Sequence, residues 1–137
     1  MSEIVLHGHK VVGGLAEGEA LVTCQPLTFV GGLDPATGLV TEKNHELTGQ
    51  CITGKILVYP KGKGSTGNAY RMYDMAVQGT GPAAIINQIA EPVTAIGAIM
   101  GEIPMVDKLS QDPLSAIATG DWVRVEASQG VVIIRKK

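Results

Sequence analysis

A basic excess is missing from this chain. Eleven Lys and Arg stand against 13 Asp and Glu, a formal charge of −2. A surface that grips a phosphate backbone needs such an excess, so the balance argues against nucleic acid as a partner. Long apolar runs are missing too, and none approaches the ~18–20 residues that cross a bilayer. The start, Met1-Ser2-Glu3, lacks the basic residues and apolar stretch of a signal peptide. The expectation is a cytoplasmic domain with no membrane partner. Cysteine stops at two, Cys24 and Cys51. Two thiols make no disulfide framework, and they cannot supply a four-thiolate zinc or iron–sulfur site. Aromatic residues are 4% of the chain, so any core must be aliphatic.

What is present is enough to build one. Apolar residues are 45% and charged residues 18% of 137, which excludes disorder driven by low hydropathy and high charge. The length predicts a single domain over residues 1–137. Glycine, at 18 residues, is about twice its usual share of ~7% and implies tight turns and close backbone approach.

Along the chain, Glu3 to Val12 reads as a strand bent at Gly8, and Glu19 to Cys24 as a second strand. From Gln25 to Gly54 no period is sustained, and Gly31-Gly32, Asp34-Pro35 and Thr37-Gly38 punctuate the text. So long a connection in a compact domain usually serves a site or an interface. Lys55 to Tyr59 is a short apolar run, the pattern of a strand covered on both faces. A helix follows from Ser65-Thr66 to Gln78, with Ala69, Met72, Tyr73, Ala76 and Val77 as its apolar stripe. Ala83 to Asn87 is the next strand, which makes a βαβ unit. Thr94 to Met100 predicts a short helix and Pro104 to Val106 a short strand. Trp122–Glu126 and Val131–Arg135 form a hairpin about Ser128-Gln129-Gly130. The class is α/β, with a partly closed, layered sheet rather than a regular doubly wound one.

The sharpest feature is Pro60-Lys61-Gly62-Lys63-Gly64-Ser65-Thr66-Gly67, a glycine-rich turn from a buried strand into a helix. Backbone N–H groups converge at a helix start, and the macrodipole adds positive potential. Such a place suits a carboxylate or phosphate, or a serine that must lose its proton. It is not a Walker A loop, because Gly64 rather than Ser or Thr follows Lys63. The plainer alternative is that Ser65 or Thr66 only caps the helix. His7 and His9, two apart on a strand, share a side but have no third ligand nearby in sequence. No metal ligand is assigned to the chain. His45 reads as a charged tip facing solvent, Asp34 as turn chemistry, and Glu17-Gly18-Glu19 as a solvated turn. Met72 and Met75 read as packing residues.

The chain resembles the small subunit of two-chain aconitase X enzymes over nearly its whole length. The resemblance rests on Gly13-Gly14 with Glu17-Gly18-Glu19-Ala20-Leu21, and on Pro26, Phe29, Gly31-Gly32, Asp34-Pro35 and Gly38. It continues through His45, Leu47, Gly49 and Gly54-Lys55 to the most specific stretch, Pro60 to Thr66. Ala83, Ile85, Asn87, Glu91, Ile96-Gly97-Ala98 and Ile103-Pro104-Met105-Val106-Asp107 also fit. The resemblance implies a swivelling β/β/α domain, as in the aconitase swivel domain and the isopropylmalate isomerase small subunit. It implies a hydro-lyase active only with a large subunit, in a heterodimer or higher assembly, that holds an iron–sulfur cluster or iron centre. Ser65 would be the proton-abstracting base, and Lys63, Gly64 and Thr66 would bind a small anionic hydroxy acid.

The Gly-Lys-Gly-Ser-Thr form and Tyr70 look closer to archaeal members that dehydrate mevalonate 5-phosphate to anhydromevalonate phosphate in a modified mevalonate pathway. Members that dehydrate cis-3-hydroxy-L-proline are the alternative. Two departures stand out: Gly67-Asn68-Ala69 after Ser-Thr, and Glu102 where the family leads one to expect Gly. Glu91 to Val106 also resembles the phosphohistidine swivel domain. Val93-Thr94-Ala95-Ile96 contains no histidine, however, so that phosphocarrier chemistry is absent. The remaining alternative is a non-catalytic swivel-fold binding or assembly module.

Overall fold

A computed structural model describes residues 3–63 and 65–137. The chain bends sharply near its start. Strands β1 (Glu3–His7) and β2 (His9–Val12) are separated only by Gly8. A Cβ at Gly8 would lie 2.7 Å from the Asp107 carbonyl oxygen, so only glycine lets the bend press onto that backbone. The two strands then diverge to opposite ends of one sheet, eight-stranded among the described residues and ordered β1, β8 (Val131–Arg135), β7 (Trp122–Glu126), β3 (Leu15–Val22), β4 (Ile56–Tyr59), β5 (Ala84–Asn87), β6 (Met105–Asp107), β2. Because its end strands are consecutive in the chain, the sheet curls into an incomplete barrel. This agrees with the partly closed sheet read from the sequence.

Strand β3 spans Leu15–Val22 rather than Glu19–Cys24. Its first half, Leu15 to Glu19, pairs antiparallel with β7 (Trp122–Glu126), and Ala20 to Val22 pairs parallel with β4 (Ile56–Tyr59). One long strand therefore joins the antiparallel and parallel parts of the sheet. Glu17 and Glu19 lie on this strand, not on a solvated turn. Glu17 meets Arg124 at 3.4 Å and Glu19 meets Lys55 at 2.7 Å, while Gly18 between them is buried.

The parallel part is β3, β4, β5 (Ala84–Asn87) and β6 (Met105–Asp107). Every residue of β4, β5 and β6 is buried, as the unbroken apolar runs of a doubly covered strand require. Inside the barrel, Ile56, Val58, Ala84, Ile86 and Val106 meet Val123, Val125, Val132 and Ile134 from β7 and β8 (Val131–Arg135). On the outer face, Leu57, Tyr59, Ile85 and Met105 are covered by two helices and by the long connection.

Helix α1 (Gly67–Gln78) joins β4 to β5 and confirms the βαβ unit. Its buried side is Asn68, Ala69, Met72 and Met75, whereas Tyr73 and Val77 face outward. The apolar stripe is thus rotated from the one read in the sequence, with Met75 rather than Tyr73 and Val77 turned toward the sheet. Each fully buried Met contributes about 1.5–3 kcal/mol. Helix α2 (Pro92–Gly101) is longer than Thr94–Met100 and packs beside α1. A third, one-turn helix, α3 (Pro113–Ala116), was not legible from the sequence.

The connection 23–55 is irregular but packed. Leu27, Phe29, Leu33, Val40, Leu47 and Ile52 are each at most 3% exposed and join the helix-side core. His45 belongs to it rather than to solvent. The residue is buried, its Nε2 lies 3.0 Å from the Pro26 carbonyl, and its Nδ1 accepts the Leu47 N–H at 3.1 Å. The ring therefore braces the loop through both nitrogens, from Pro26 to Leu47. Asp34 is turn chemistry as expected, its carboxylate accepting the Ala36 N–H at 3.0 Å.

Candidate active site

The loop between β4 and α1 is held almost residue by residue. Asn87 Nδ2 donates to the Tyr59 carbonyl at 3.1 Å, and the Gln88 N–H donates to the Pro60 carbonyl at 3.0 Å. Across the loop, the Leu27 N–H donates to the Lys61 carbonyl, and the Lys63 N–H returns to the Leu27 carbonyl at 3.3 Å. Leu27 and Gly62 thus form a one-rung parallel bridge. The long connection therefore serves as one wall of the loop that carries the candidate serine.

Ser65 follows, exposed, with φ of 86°. A non-glycine residue in this region stores backbone strain, which persists where the surroundings over-determine it and clusters at functional sites. Its carbonyl accepts the Asn68 N–H at 3.0 Å, and that of Thr66 accepts the Ala69 N–H at 3.1 Å. Thr66 is the residue before α1, but its side chain makes no capping hydrogen bond, and no acidic residue sits in the first turn. The capping role weighed for Thr66 is therefore not made. Gly64 lies outside the described residues.

Helix α2 begins beside this loop and behaves in the opposite way. Glu91 closes its N-terminus, accepting from Thr94 N at 2.6 Å and Val93 N at 3.1 Å. With its own carboxylate in place, the α2 terminus has no call on an external anion. The α1 start carries no side-chain cap among the described residues. Its Asn68 and Ala69 N–H groups turn back to the Ser65 and Thr66 carbonyls, and the positive end of the helix dipole lies beside the exposed Ser65.

Lys63 and Ser65 lie two residues apart on this loop, both exposed. Lys63 is not a free cation. Its ammonium pairs with Glu42 of the long connection, whose other carboxylate oxygen, Oε1, is buried and has no hydrogen-bond partner among the described residues. A depression of about 290 Å³ beside them is lined by Gln25, Pro26, Glu42, Lys43, Asn44, His45 and Lys63. Another, of about 410 Å³, runs along the first turns of α1 past Val30, Gly67, Tyr70 and Tyr73. The groove of about 350 Å³ on the outer face of β1, β8, β7 and β3 is lined by charges that largely pair with one another, Arg124 with Glu17 and Glu126 among them. It lies away from the Ser65 loop.

Sequence reasoning gave no role to Glu42, Thr94 or Glu91. Nothing in the irregular text around Glu42 marked it. Glu91 could have been found from Pro92 at the first helical position behind an acidic residue, which signals a helix start. His9 meets Asp107 rather than His7, its Nδ1 lying 2.8 Å from Oδ1. Among the described residues no group of three His, Cys, Asp or Glu side chains is placed to hold a metal ion. The donors placed among the described residues therefore do not fit an iron–sulfur cluster or iron centre.

A curled sheet carrying a βαβ unit, with a strained serine on the loop into its helix, has the architecture of a swivel domain. A family model described as the aconitase X swivel domain matches residues 5–134, and the chain belongs to that family. The phosphomevalonate dehydratase small subunit of Methanosarcina acetivorans is 46% identical over 136 residues, covering 99% of this chain and 94% of its own. That of Thermococcus kodakarensis is 49% identical over 129 residues, covering 94% and 95%. The crystal structure of Thermococcus kodakaraensis aconitase X in its holo form contains a chain with a TM-score of 0.91 and 47% identity. The match covers 97% of this chain and 99% of that one.

Proposed function

We propose that this chain is the small subunit of a hydro-lyase that dehydrates mevalonate 5-phosphate to anhydromevalonate phosphate. In this reading it is a single swivel-type domain that works only with a large subunit. The observation that carries the reading is the contrast between the two adjoining helix starts. The α2 terminus is closed by Glu91, while that of α1 has no side-chain cap and is preceded by the exposed, strained Ser65. The names of the relatives supply the substrate.

Ser65 takes the proton from the carbon next to the substrate carboxylate. The C–H electrons form the new C=C bond, and the neighbouring hydroxyl leaves with the C–O electron pair as hydroxide, which becomes water on taking a proton from solvent. Ser65, an alkoxide before the step, is left as a neutral hydroxyl that returns its proton to solvent. The helix-start amides stabilise negative charge, either on Ser65 Oγ or on an anionic substrate group held against Gly64 and Thr66. Lys63 adds a cation at the edge. The iron–sulfur cluster or iron centre implied by the family resemblance belongs, in this reading, to the large subunit.

The test is to express the chain with its large partner and assay both mevalonate 5-phosphate and cis-3-hydroxy-L-proline. Turnover of the first, abolished by Ser65→Ala in a complex that still assembles, is the expected result. Turnover retained by Ser65→Ala overturns the role of the serine. Turnover of hydroxyproline alone overturns the substrate.

A further inference from the structure

Beneath the Ser65 loop lies a buried polar group that the proposed reaction does not use. Tyr59 and Asn87 are register partners at the ends of β4 and β5, and both are fully buried. Among the described residues, the Tyr59 hydroxyl and Asn87 Oδ1 have no hydrogen-bond partner. Burial pushes the Tyr59 phenol up, with Asn87 and Thr94 as its polar neighbours, so it remains a protonated donor.

Thr94, itself buried, donates its hydroxyl to Glu91 Oε1 at 2.6 Å, the same oxygen that receives its N–H. This pair forms the floor under Gly62. A Cβ at Gly62 would run into Thr94 Oγ1 and would stand 3.0 Å from Glu91 Oε1. The Gly62 backbone therefore rests directly on the α2 cap, three residues before Ser65. Its other contacts are the Leu27 bridge on one side and the held carbonyls of Tyr59 and Pro60 behind it.

We infer that Thr94, tied to Glu91, is a positioning residue that sets the height of the Gly62 backbone and through it the placement of Ser65. The inference rests on Ser65 being the base. A helix cap alone needs only the Glu91 carboxylate and the amides of Val93 and Thr94. It does not need the Thr94 hydroxyl, whose other polar neighbour is the Tyr59 phenol, and it does not require glycine at position 62. The contact between the α2 cap and the catalytic loop accounts for both. A misplacement of about 1 Å at a reacting group can cost ~10²-fold in rate, so a small lift of the loop should show in turnover first.

The experiment compares Thr94→Val, which exchanges the hydroxyl for a bulkier methyl, with Thr94→Ser, which keeps the oxygen. Both are made in the assembled complex, with Ser65→Ala measured alongside. Thr94→Val is expected to lower kcat roughly 10- to 100-fold with KM within threefold and assembly unchanged. Thr94→Ser should stay within threefold of the parent. Gly62→Ala serves as a second probe from the other side of the contact. It should lose kcat alone and regain at least about tenfold when combined with Thr94→Ala, which makes room for the added carbon.

Thr94→Val at parental kcat overturns the inference, and so does a Gly62→Ala defect indifferent to Thr94→Ala. If Ser65→Ala is inactive while Thr94→Val is fully active, only this inference falls. If Ser65→Ala is active, the reading of the base falls first and takes the inference with it. If only hydroxyproline is turned over, the same variants are read on that substrate.

Discussion

The Lys63 ammonium rests on the Glu42 carboxylate, which bridges the serine loop to the long connection. Glu42 is well shielded, its side chain 15% exposed, and Lys63 is less so at 44%. A substrate anion that uses Lys63 must therefore compete with an internal one. A partly exposed ion pair is worth only about 0.2–1 kcal/mol, so the competition is winnable.

Glu42→Gln is accordingly expected to lower KM for the phosphorylated substrate about two- to fivefold, and Lys63→Ala to raise it by a similar factor. Steady-state kinetics on the assembled complex at fixed ionic strength checks both. A KM unmoved by either change removes Lys63 from the binding site.

Ser65 carries a prediction in which stability and activity part. Alanine removes the hydroxyl but keeps the Cβ that makes φ of 86° unfavourable, whereas glycine removes both. Relief of the left-handed strain is worth about 1–2 kcal/mol, partly offset by about 0.5–1 kcal/mol of extra chain entropy lost by glycine on folding. Ser65→Gly should therefore be about 0.5–1 kcal/mol more stable than Ser65→Ala, while both have lost turnover. Thermal melts of the two variants, read beside their activities, test this. A lower melting temperature for Ser65→Gly than for Ser65→Ala would mean that the serine conformation carries no strain.

What was legible in the sequence follows the strength of local signals. The buried runs Ile56–Tyr59 and Ala84–Asn87, the helix between them and the C-terminal hairpin all carry unbroken apolar or alternating patterns. Helix α1 was legible, and so were Ala69, Met72 and Met75 as packing residues; the error was to include Tyr73 and Val77 in the stripe, because they are apolar too and only the sheet decides which side chains turn inward. The packed order of residues 23–55 was hidden for a similar reason. Its buried Leu27, Phe29, Leu33, Val40, Leu47 and Ile52 follow the core surface and no helical or strand period. Ser65 was visible through its glycine-rich setting. Glu42 and Thr94 were not, since their roles exist only once distant segments meet.

Glu102 links a sequence oddity to a backbone fact. The resemblance leads one to expect glycine there, and the structure places Glu102 at the end of α2 with φ of 54°, the left-handed cap position. Its N–H bonds back to the Ala98 and Ile99 carbonyls, so the turn itself is required. Glu102→Gly should raise stability by about 0.5–1 kcal/mol, a rise in Tm of about 2–4 °C for a domain of this size. Activity should not change, because Glu102 is exposed at the end of α2 away from Ser65. A drop in Tm would show that the glutamate side chain makes a compensating interaction in solution.

Asp121 sets how the fold answers to acid. Burial raises its carboxyl, but the Lys136 ammonium at 2.5 Å and the N–H groups of Ala118 and Lys137 outweigh that and hold it below the ordinary aspartate value. A carboxylate depressed in the folded state adds stability that is fully present above its unfolded pKa and is lost as pH falls through the folded one. Stability should therefore be level from neutrality to about pH 5 and decline below about pH 4, where the unfolded chain takes up the proton first. Glu19, held down by Lys55, and Glu46, held down by the Thr23 hydroxyl and the Cys24 N–H, act with the same sign. Asp121 is the buried member of the three, so its removal should dominate. Asp121→Asn is expected to cost about 2 kcal/mol at pH 7 and to flatten the acid limb of the stability curve. Urea melts between pH 3 and 7 measure both. An unchanged acid limb in Asp121→Asn would assign the pH dependence to the exposed glutamates instead.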